Sequence, residues 1–192
     1  MLNRKELKER RRMEILSVGL DLFIKKGYSA TKTLDISQKA GISEGLLFHY
    51  FESKEKLYEE LIKIGRSRPK EVLEVIEGEP LDFFTTAVDE IVRHTKAQPF
   101  VAKMFVLMAQ AQCNEAAPES VKKILAGNDS LDFSIQKIKQ GQKNGSIKKG
   151  DPAALALTFW GALQGIAEQM AVNPDFPIPK SEWIVDILRK TN

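Results

Sequence analysis

The sequence predicts an all-α protein. Apolar residues recur mostly at helical spacing along the 192-residue chain, strand-type alternation is scarce, and Gly and Pro are modest in number at 12 and 8. The length suits one generous domain or two small ones that share a continuous helix. Caps, turns and apolar stripes divide the chain into a series of helices.

The first 30 residues predict a basic arm followed by one helix. Residues 1–12 carry six Lys and Arg, as expected of a frayed arm that follows the DNA backbone or a minor groove. From Met13, apolar residues at i, i+3, i+4 and i+7 predict an amphipathic helix. Gly27, which follows two lysines, predicts the end of that helix. We expect Thr31 to cap the next helix.

Residues 33–50 predict two short helices joined by a tight turn, the pattern of a DNA-reading helix-turn-helix. Gly41 stands where the first helix must stop, and Ser43 is a good N-cap for the second. A plain αα-corner in a helical core can share this arrangement. The charge distribution favours DNA, because residues 1–51 carry ten Lys and Arg against six Asp and Glu, whereas residues 52–192 carry nineteen against twenty.

The outward positions of the second helix and their basic flanks are the candidate DNA contacts. Ser53 is the predicted cap of the following helix, which places Lys54 in the first turn of that helix. The helix dipole disfavours a positive charge there. Lys54 therefore either binds a phosphate or is simply solvated. Glu44 can accept from a cytosine amino group or, alternatively, cap its own helix. Leu46 or Phe48 can touch thymine methyl groups. The candidate DNA-binding residues are Lys32, Thr33, Ser43, Glu44, Gly45, Leu46, Phe48, His49, Tyr50 and Lys54.

The stretch from about residue 10 to residue 62 matches a known family pattern at many positions in register. These positions are Ile15, Leu22, Phe23, Gly27, Tyr28, Ala30, Thr31, Ile36, Ala40, Gly41, Ile42, Ser43, Gly45, Phe48, His49, Tyr50, Phe51, Ser53, Lys54, Glu55 and Leu57. The stretch resembles the DNA-binding domain of the TetR family of transcriptional regulators. The resemblance implies three N-terminal helices for DNA, a fourth linking helix, and a variable helical domain for ligand binding and dimerisation. Leu34, Leu46 and Phe48 depart from residues frequent in that family, which leaves the operator sequence open.

The remaining chain predicts further helices without a comparable motif. The linking helix is expected to kink or restart at Arg68-Pro69. Later helices are predicted over 81–96, from Pro99, from Pro118 to about Lys143 with an irregularity at Gly127-Asn128, from Asp151-Pro152 to about Val172, and from Ser181 to Lys190. The predicted domains are a DNA-binding domain over 1–52 and a ligand-binding and dimerisation domain over 53–192.

The helix that starts at Pro152 is apolar on nearly every side, so its own domain and something else must both cover it. Two DNA half-sites about one helical turn apart need a dimer, whereas the alternative is a buried central helix in a monomer. A homodimer is therefore expected, with an isologous interface. Its predicted residues are Leu155, Phe159, Trp160, Leu163, Ile166, Trp183, Ile184 and Ile187.

An apolar cavity between helices is the candidate effector site. Methionine and aromatic side chains adapt to irregular apolar ligands, although at helical spacing they are more often plain core. A glutamine would supply a polar anchor. The candidate ligand-binding residues are Phe84, Val88, Met104, Phe105, Met108, Phe159 and Gln164.

The sequence argues against several other classes of protein. It has no nucleophile elbow, phosphate loop or paired carboxylates, and one Cys and two His argue against a metal site, so we expect no catalytic residue, metal or cofactor. We also expect a cytoplasmic protein, since neither a secretory signal nor a membrane-length apolar run is visible. The leading hypothesis is a repressor that a small, hydrophobic effector of unknown identity releases from a palindromic duplex DNA operator. Alternatives are an activator or global regulator of the same fold and, more remotely, a helical enzyme or membrane-surface adaptor.

Overall fold

The computed structural model describes residues 3–126 and 129–190. These residues form ten α-helices and no strand beyond an isolated bridge between Ile147 and Arg189, which confirms the predicted all-α class. The helices are α1 (Arg4–Ala30), α2 (Thr33–Lys39), α3 (Glu44–Tyr50), α4 (Lys54–Glu74), α5 (Pro80–Ala97), α6 (Pro99–Gln112), α7 (Glu119–Leu125), α8 (Asp129–Asn144), α9 (Pro152–Val172) and α10 (Ser181–Val185).

The chain divides into two compact units. The first unit comprises Met1–Arg66 and Val106–Ala126, and the second comprises Ser67–Phe105 and Gly127–Asn192. Both divisions fall inside helices, so α4 and α6 each contribute residues to both units. The predicted functional domains, 1–52 and 53–192, have a different boundary and stay a prediction.

The basic N-terminal segment is helical from Arg4 onward, so the prediction of a frayed arm is wrong for that part. Asn3 caps α1, because its side chain accepts from the Glu6 N–H at 2.9 Å and the Glu6 carboxylate accepts from the Asn3 N–H at 2.8 Å. Gly27 is predicted to end this helix. It has a positive φ of 77° and kinks the helix, but one further turn follows it to Ala30.

Helix α1 packs closely on α4 within the first unit. The rings of Phe23 and Tyr58 meet edge to face with centroids 4.8 Å apart. Gly19 permits this approach, since a Cβ there would lie 2.6 Å from a methyl carbon of Leu57. Arg12 of α1 also pairs with Glu60 of α4. These contacts hold α4 against the first helix.

Two predicted helix boundaries need correction. Helix α4 continues through Pro69 to Glu74 instead of restarting, at the cost of one backbone donor. Helix α10 ends at Val185 rather than Lys190, because the following residues pair with the 146–148 segment through backbone hydrogen bonds of 2.9 and 3.2 Å. The predicted helix from Pro118 is observed as α7 and α8, and the predicted irregularity at Gly127-Asn128 lies outside the described residues.

Helix α5 packs against α8, α9 and α10 to form the core of the second unit. Phe83, Phe84 and Phe159 are fully buried there, with ring centroids 5.1 Å apart for the first pair and 4.8 Å for Phe84 and Phe159. The indole N–H of Trp160 donates to the buried Ser134 hydroxyl at 2.9 Å. The core is therefore filled by aromatic rings.

Candidate nucleic-acid interface

The turn between α2 and α3 has the geometry that the sequence predicts. Gly41 has a φ of 63°, and the Ile42 N–H donates to the Ser37 carbonyl at 3.0 Å, which closes the end of α2. Ser43 then caps α3, since its hydroxyl accepts from the Leu46 N–H at 3.2 Å. Buried apolar side chains beneath the two helices, among them Leu47, fix the direction in which α3 presents its outer face.

The outer face of α3 is exposed and largely apolar. Gly45, Leu46, Phe48 and His49 are exposed, and Leu46 and Phe48 have 39% and 46% of their surface accessible. At about 100° per residue these four positions form one continuous face, with Gly45 and His49 central and the other two at its edges. We call these four residues the reading face. Leu34 of α2 is also exposed, at 48%.

Thr33 and Glu44 connect the starts of α2 and α3. The Thr33 hydroxyl donates to Glu44 Oε1 at 2.9 Å, and both residues are half-buried. The sequence places both among the candidate DNA contacts but gives no sign that they bond to each other. Glu44 is therefore held by a partner on another helix rather than fully exposed as the reading face is.

Lys54 has internal partners that the sequence does not suggest. Its ammonium donates to the carbonyls of Tyr28 and Thr31 at 2.8 and 2.9 Å and lies 4.3 Å from the centre of the Tyr28 ring. Burial lowers the pKa of this ammonium. The predicted cap of its helix is confirmed, as Ser53 accepts from the Lys56 N–H at 3.1 Å. Lys54 thus closes the end of α1, and its contact with phosphate stays a prediction.

The start of α2 is anchored differently from the prediction. Thr31 is not the cap, because its hydroxyl donates back to the Gly27 carbonyl at 2.7 Å, and Lys32 occupies the cap position. The Lys32 N–H donates to the Asp35 carboxylate at 3.1 Å, and Lys26 pairs with the same carboxylate at 3.1 Å. These two contacts, the backbone donor first, lower the pKa of Asp35.

The remaining candidate DNA contacts surround the reading face in sequence. Lys32 and Ser43 are exposed, whereas Tyr50 is half-buried and its ring meets that of His49 at 5.6 Å between centroids. The Lys32 side chain is therefore accessible to a phosphate.

The candidate effector residues are divided between the two units, and most of them are packed against neighbouring side chains. Phe84, Val88 and Phe159 are packed core, Met104 is buried, and Phe105 packs partly against that core. The Gln164 amide already donates to the Phe105 carbonyl at 2.9 Å and to Glu168 at 2.6 Å. Met108 belongs to the first unit, whereas the other six belong to the second. Phe105, Met108 and Gln164 are half-buried, and the role of all seven residues in effector binding stays a prediction.

The candidate dimer residues separate into buried and accessible groups. Phe159, Leu163 and Ile184 are buried by their own unit, and their place in a dimer interface stays a prediction. Trp183 is 63% exposed. The remaining four, Leu155, Trp160, Ile166 and Ile187, are half-buried.

Helix α9 presents a different exposed stripe from the one predicted. Leu157, Gly161, Gly165, Gln169 and Val172 recur at intervals of three or four residues and are all exposed. We call these five residues the α9 stripe. Three of them, Gly161, Gly165 and Gln169, also line an apolar groove of about 290 Å³ between α9 and the loop at 176–179. The sequence marks this loop only as rigid, through its prolines, and does not reveal the groove.

No three His, Cys, Asp or Glu side chains in residues 3–126 and 129–190 come together as a metal-ion site. None of the described helices combines the length and hydropathy that crossing a membrane requires.

Comparison with known proteins matches residues 15–61 to the family described as bacterial regulatory proteins, tetR family. An uncharacterised HTH-type transcriptional regulator of Bacillus subtilis, YvkB, is 30% identical over 156 residues, which cover 79% of this chain and 78% of that protein. The HTH-type transcriptional repressor KstR2 of Rhodococcus jostii is 41% identical over 56 residues, but these are only 29% of this chain and 28% of KstR2.

Solved structures share the fold over most of the chain. The regulator AibR, solved in complex with isovaleryl coenzyme A and operator DNA, superposes with a TM-score of 0.68. The match covers 92% of this chain and 94% of AibR at 18% sequence identity. At that identity the likeness establishes the fold alone.

Proposed function

This chain belongs to the TetR family of bacterial regulatory proteins, and from that premise we propose that it is a repressor which a small effector releases from operator DNA. It is a DNA-binding transcriptional regulator. Its action as a repressor, its effector and its operator belong to the proposal. The name of KstR2 supports repression, although the match covers little of either chain.

The observation that carries DNA recognition is the exposed reading face on a capped, firmly packed helix. A protein that reads bases must hold side chains at fixed positions outside its own core. Gly45, Leu46, Phe48 and His49 meet that requirement because Leu47 anchors the opposite side of α3. The basic balance of residues 1–51 supplies the attraction to phosphate.

We propose a homodimer that uses the α9 stripe rather than the buried part of the predicted interface. Two glycines, Gly161 and Gly165, have no atom within 4 Å of a Cβ placed on them, so the stripe is accessible to a second helix. Leu157 and Val172 are 66% and 80% exposed and would gain from burial. Members of this family act as dimers, and a palindromic operator fits such a dimer.

We propose that the effector is small and mostly apolar and acts through the second unit. AibR was solved with an acyl coenzyme A and operator DNA, which supports a regulator that responds to a metabolite. Because α4 and α6 each have residues in both units, a change in the second unit has a direct covalent route to the first. Linkage then requires that DNA weaken effector binding by the same factor, commonly about 5–150-fold.

A selection from random duplex DNA tests this proposal. The full-length protein should enrich an inverted repeat with half-sites about one helical turn, or a multiple of it, apart. The enriched duplex is then titrated with a panel of small apolar acids and their coenzyme A thioesters, and a reporter gene behind it measures repression. Failure to enrich any sequence would refute DNA reading. Enrichment without release by any panel compound would contradict an effector of this chemical class.

A further inference from the structure

We propose that Thr33 is a positioning residue, which fixes the Glu44 carboxylate so that it accepts from one cytosine amino group in each operator half-site. This inference rests on the proposed function as a DNA reader. The observation behind it is the 2.9 Å hydrogen bond from the Thr33 hydroxyl to Glu44 Oε1, which joins two helices across eleven residues of sequence.

Thr33 is a rigid anchor for this bond. Its side chain is β-branched and therefore restricted at the first torsion. Its backbone starts α2, where the Lys32 N–H donates to the Asp35 carboxylate at 3.1 Å and Lys26 of α1 pairs with that carboxylate. A free glutamate loses rotamer freedom when it binds a target. A glutamate already held by Thr33 has lost part of that freedom before DNA arrives.

The bond leaves one carboxylate oxygen of Glu44 free to accept a hydrogen bond from a base. Oε1 is occupied by the hydroxyl, whereas Oε2 accepts no hydrogen bond from the described part of the chain. An ionised carboxylate only accepts, so it needs a donor on the base edge. The major groove offers two such donors, the amino groups of cytosine and adenine. Cytosine fits better, because adenine presents the N7 acceptor beside its amino group and would repel the carboxylate.

The charge of Glu44 makes it a determinant of specificity rather than of general affinity. A carboxylate near the DNA backbone is repelled by phosphate at every sequence. Its favourable interaction exists only where an amino donor faces it. Replacing Glu44 by alanine should therefore weaken the preferred duplex while leaving binding to unrelated duplexes equal or tighter.

The alternative is that this hydrogen bond is purely structural and only holds α2 and α3 together. A purely structural hydrogen bond and one that positions Glu44 for a base differ in one measurable quantity. This quantity is the ratio of the affinities for two duplexes that differ at one base pair. Loss of a purely structural bond lowers the affinity for all duplexes alike, whereas loss of a bond that positions Glu44 lowers the affinity ratio at one base pair.

The test uses the duplex selected by the wild-type protein and its three alternatives at each base pair of the half-site. Wild type, T33V, T33S and E44A are titrated on all of them by fluorescence anisotropy. At one position the wild type should prefer cytosine by roughly five- to 150-fold, the range of a good base contact. E44A should bring that ratio close to one, T33V should lower it by about threefold or more, as expected for one lost hydrogen bond, and T33S, which keeps the hydroxyl, should retain it.

Two controls distinguish a loss of folding from a loss of base recognition. Thermal melting identifies any variant that has lost its fold, and valine is close to threonine in shape. In the double variant T33V/E44A, the threonine change should no longer affect the ratio, because its partner is gone. An E44A ratio unchanged at every position, or T33V losses equal on all duplexes, would overturn the inference while leaving DNA binding intact. Failure of the wild type to enrich any duplex would overturn the proposed function and this inference together.

Discussion

Two faces of this protein carry bare glycines at their centres, one on α3 and one on α9. A Cβ at Gly45 would meet only the Ser43 hydroxyl, at 4.0 Å, and a Cβ at Gly161 or Gly165 would meet nothing within 4 Å. Glycine costs a helix about 0.5–1 kcal/mol relative to alanine, so its use on an open face indicates that another molecule comes close. The two faces also differ in composition. The reading face belongs to residues 1–51, which carry ten Lys and Arg against six Asp and Glu, whereas the α9 stripe has exposed apolar side chains at its ends. The difference is what we expect if the reading face binds DNA and the α9 stripe binds a second protein helix, as proposed.

The largest effect is expected on the α9 stripe. Gly165→Glu places a charge where two apolar helices should meet, and burying an unpaired charge is strongly unfavourable. We expect self-association to weaken by at least about 100-fold, and operator affinity to fall with it. Sedimentation velocity measures the first quantity and anisotropy the second.

The matched control for this charge is an exposed position of α9 that lies before the stripe begins. Ala153 is exposed in the first turn of the helix, where a carboxylate is favoured by the helix dipole. Ala153→Glu should therefore leave self-association almost unchanged. A dimer that survives Gly165→Glu would show that the interface lies elsewhere.

An effect of similar size is expected on the reading face. Gly45→Glu adds a carboxylate at its centre, where like charges brought together with phosphate cost several kcal/mol, or at least about 100-fold in affinity. Gly45→Ala is the uncharged control and should fold equally well, since the Cβ has open space. Both variants should remain dimeric. Tight operator binding by Gly45→Glu would mean that α3 does not face DNA.

Lys54 gives a third test, because it joins the start of α4 to the end of α1 and the segment before α2. Lys54→Ala removes two hydrogen bonds to the Tyr28 and Thr31 carbonyls, and should lower the free energy of unfolding by about 1–3 kcal/mol. If its charge also meets phosphate, as the sequence predicts, the slope of log affinity against log salt falls by about one. Lys180→Ala, an exposed lysine of the second unit, is the charge-matched control. An unchanged slope would restrict Lys54 to its internal role.

The apolar edges of the reading face predict contact with thymine methyl groups. Replacing the contacted thymine by deoxyuridine removes one methyl, which is worth about 0.8 kcal/mol, or about fourfold in affinity. The loss should disappear in Leu46→Ala or Phe48→Ala, whichever residue makes that contact. Equal affinity for every uracil-substituted operator would argue against methyl recognition.

The smallest expected effect concerns stability alone. Glu59 of α4 is buried, and Lys56 first, with help from Ser120 and Lys63, holds its pKa below the ordinary value of 4.5. A carboxylate with a lowered pKa stabilises the folded state above its ordinary pKa, and this contribution is lost as the pH falls through the lower folded value. Glu59→Gln should therefore cost about 0.5 kcal/mol near neutral pH, since both lysines are largely exposed.

The check is the free energy of unfolding of wild type and Glu59→Gln as a function of pH. The two curves should converge in acid below 4.5. A constant difference across the acid range would show that the charge of Glu59 is not the cause. Operator affinity of the two proteins should be the same.

The reading face shows which features of the site can be predicted from the sequence. The stop at Gly41, the cap at Ser43 and the exposed positions of α3 follow from interactions within a few residues, so they could be predicted. The bond between Thr33 and Glu44 and the internal partners of Lys54 depend on how helices cross, which no spacing reveals.

The exposed side of helix α9, by contrast, could not be predicted from the sequence. Because it is apolar on nearly every side, its sequence does not say which side its own unit covers. Phe159 and Leu163 turned inward and left Gly161 and Gly165 exposed. Phe159 and Leu163, which the sequence suggests for a dimer interface, are buried instead, because large apolar side chains are the ones most often found in a core.

The most direct test of the account is operator affinity measured on three duplexes: the selected inverted repeat, the same duplex with one half-site scrambled, and a fully scrambled one. Wild-type protein should bind the intact repeat about 10³-fold or more above the fully scrambled duplex, with the half-scrambled duplex well below the intact one. Gly45→Glu should lose this preference while remaining folded and dimeric. Equal wild-type affinity for all three duplexes, or an unchanged preference in Gly45→Glu, would contradict a dimer that reads DNA through α3.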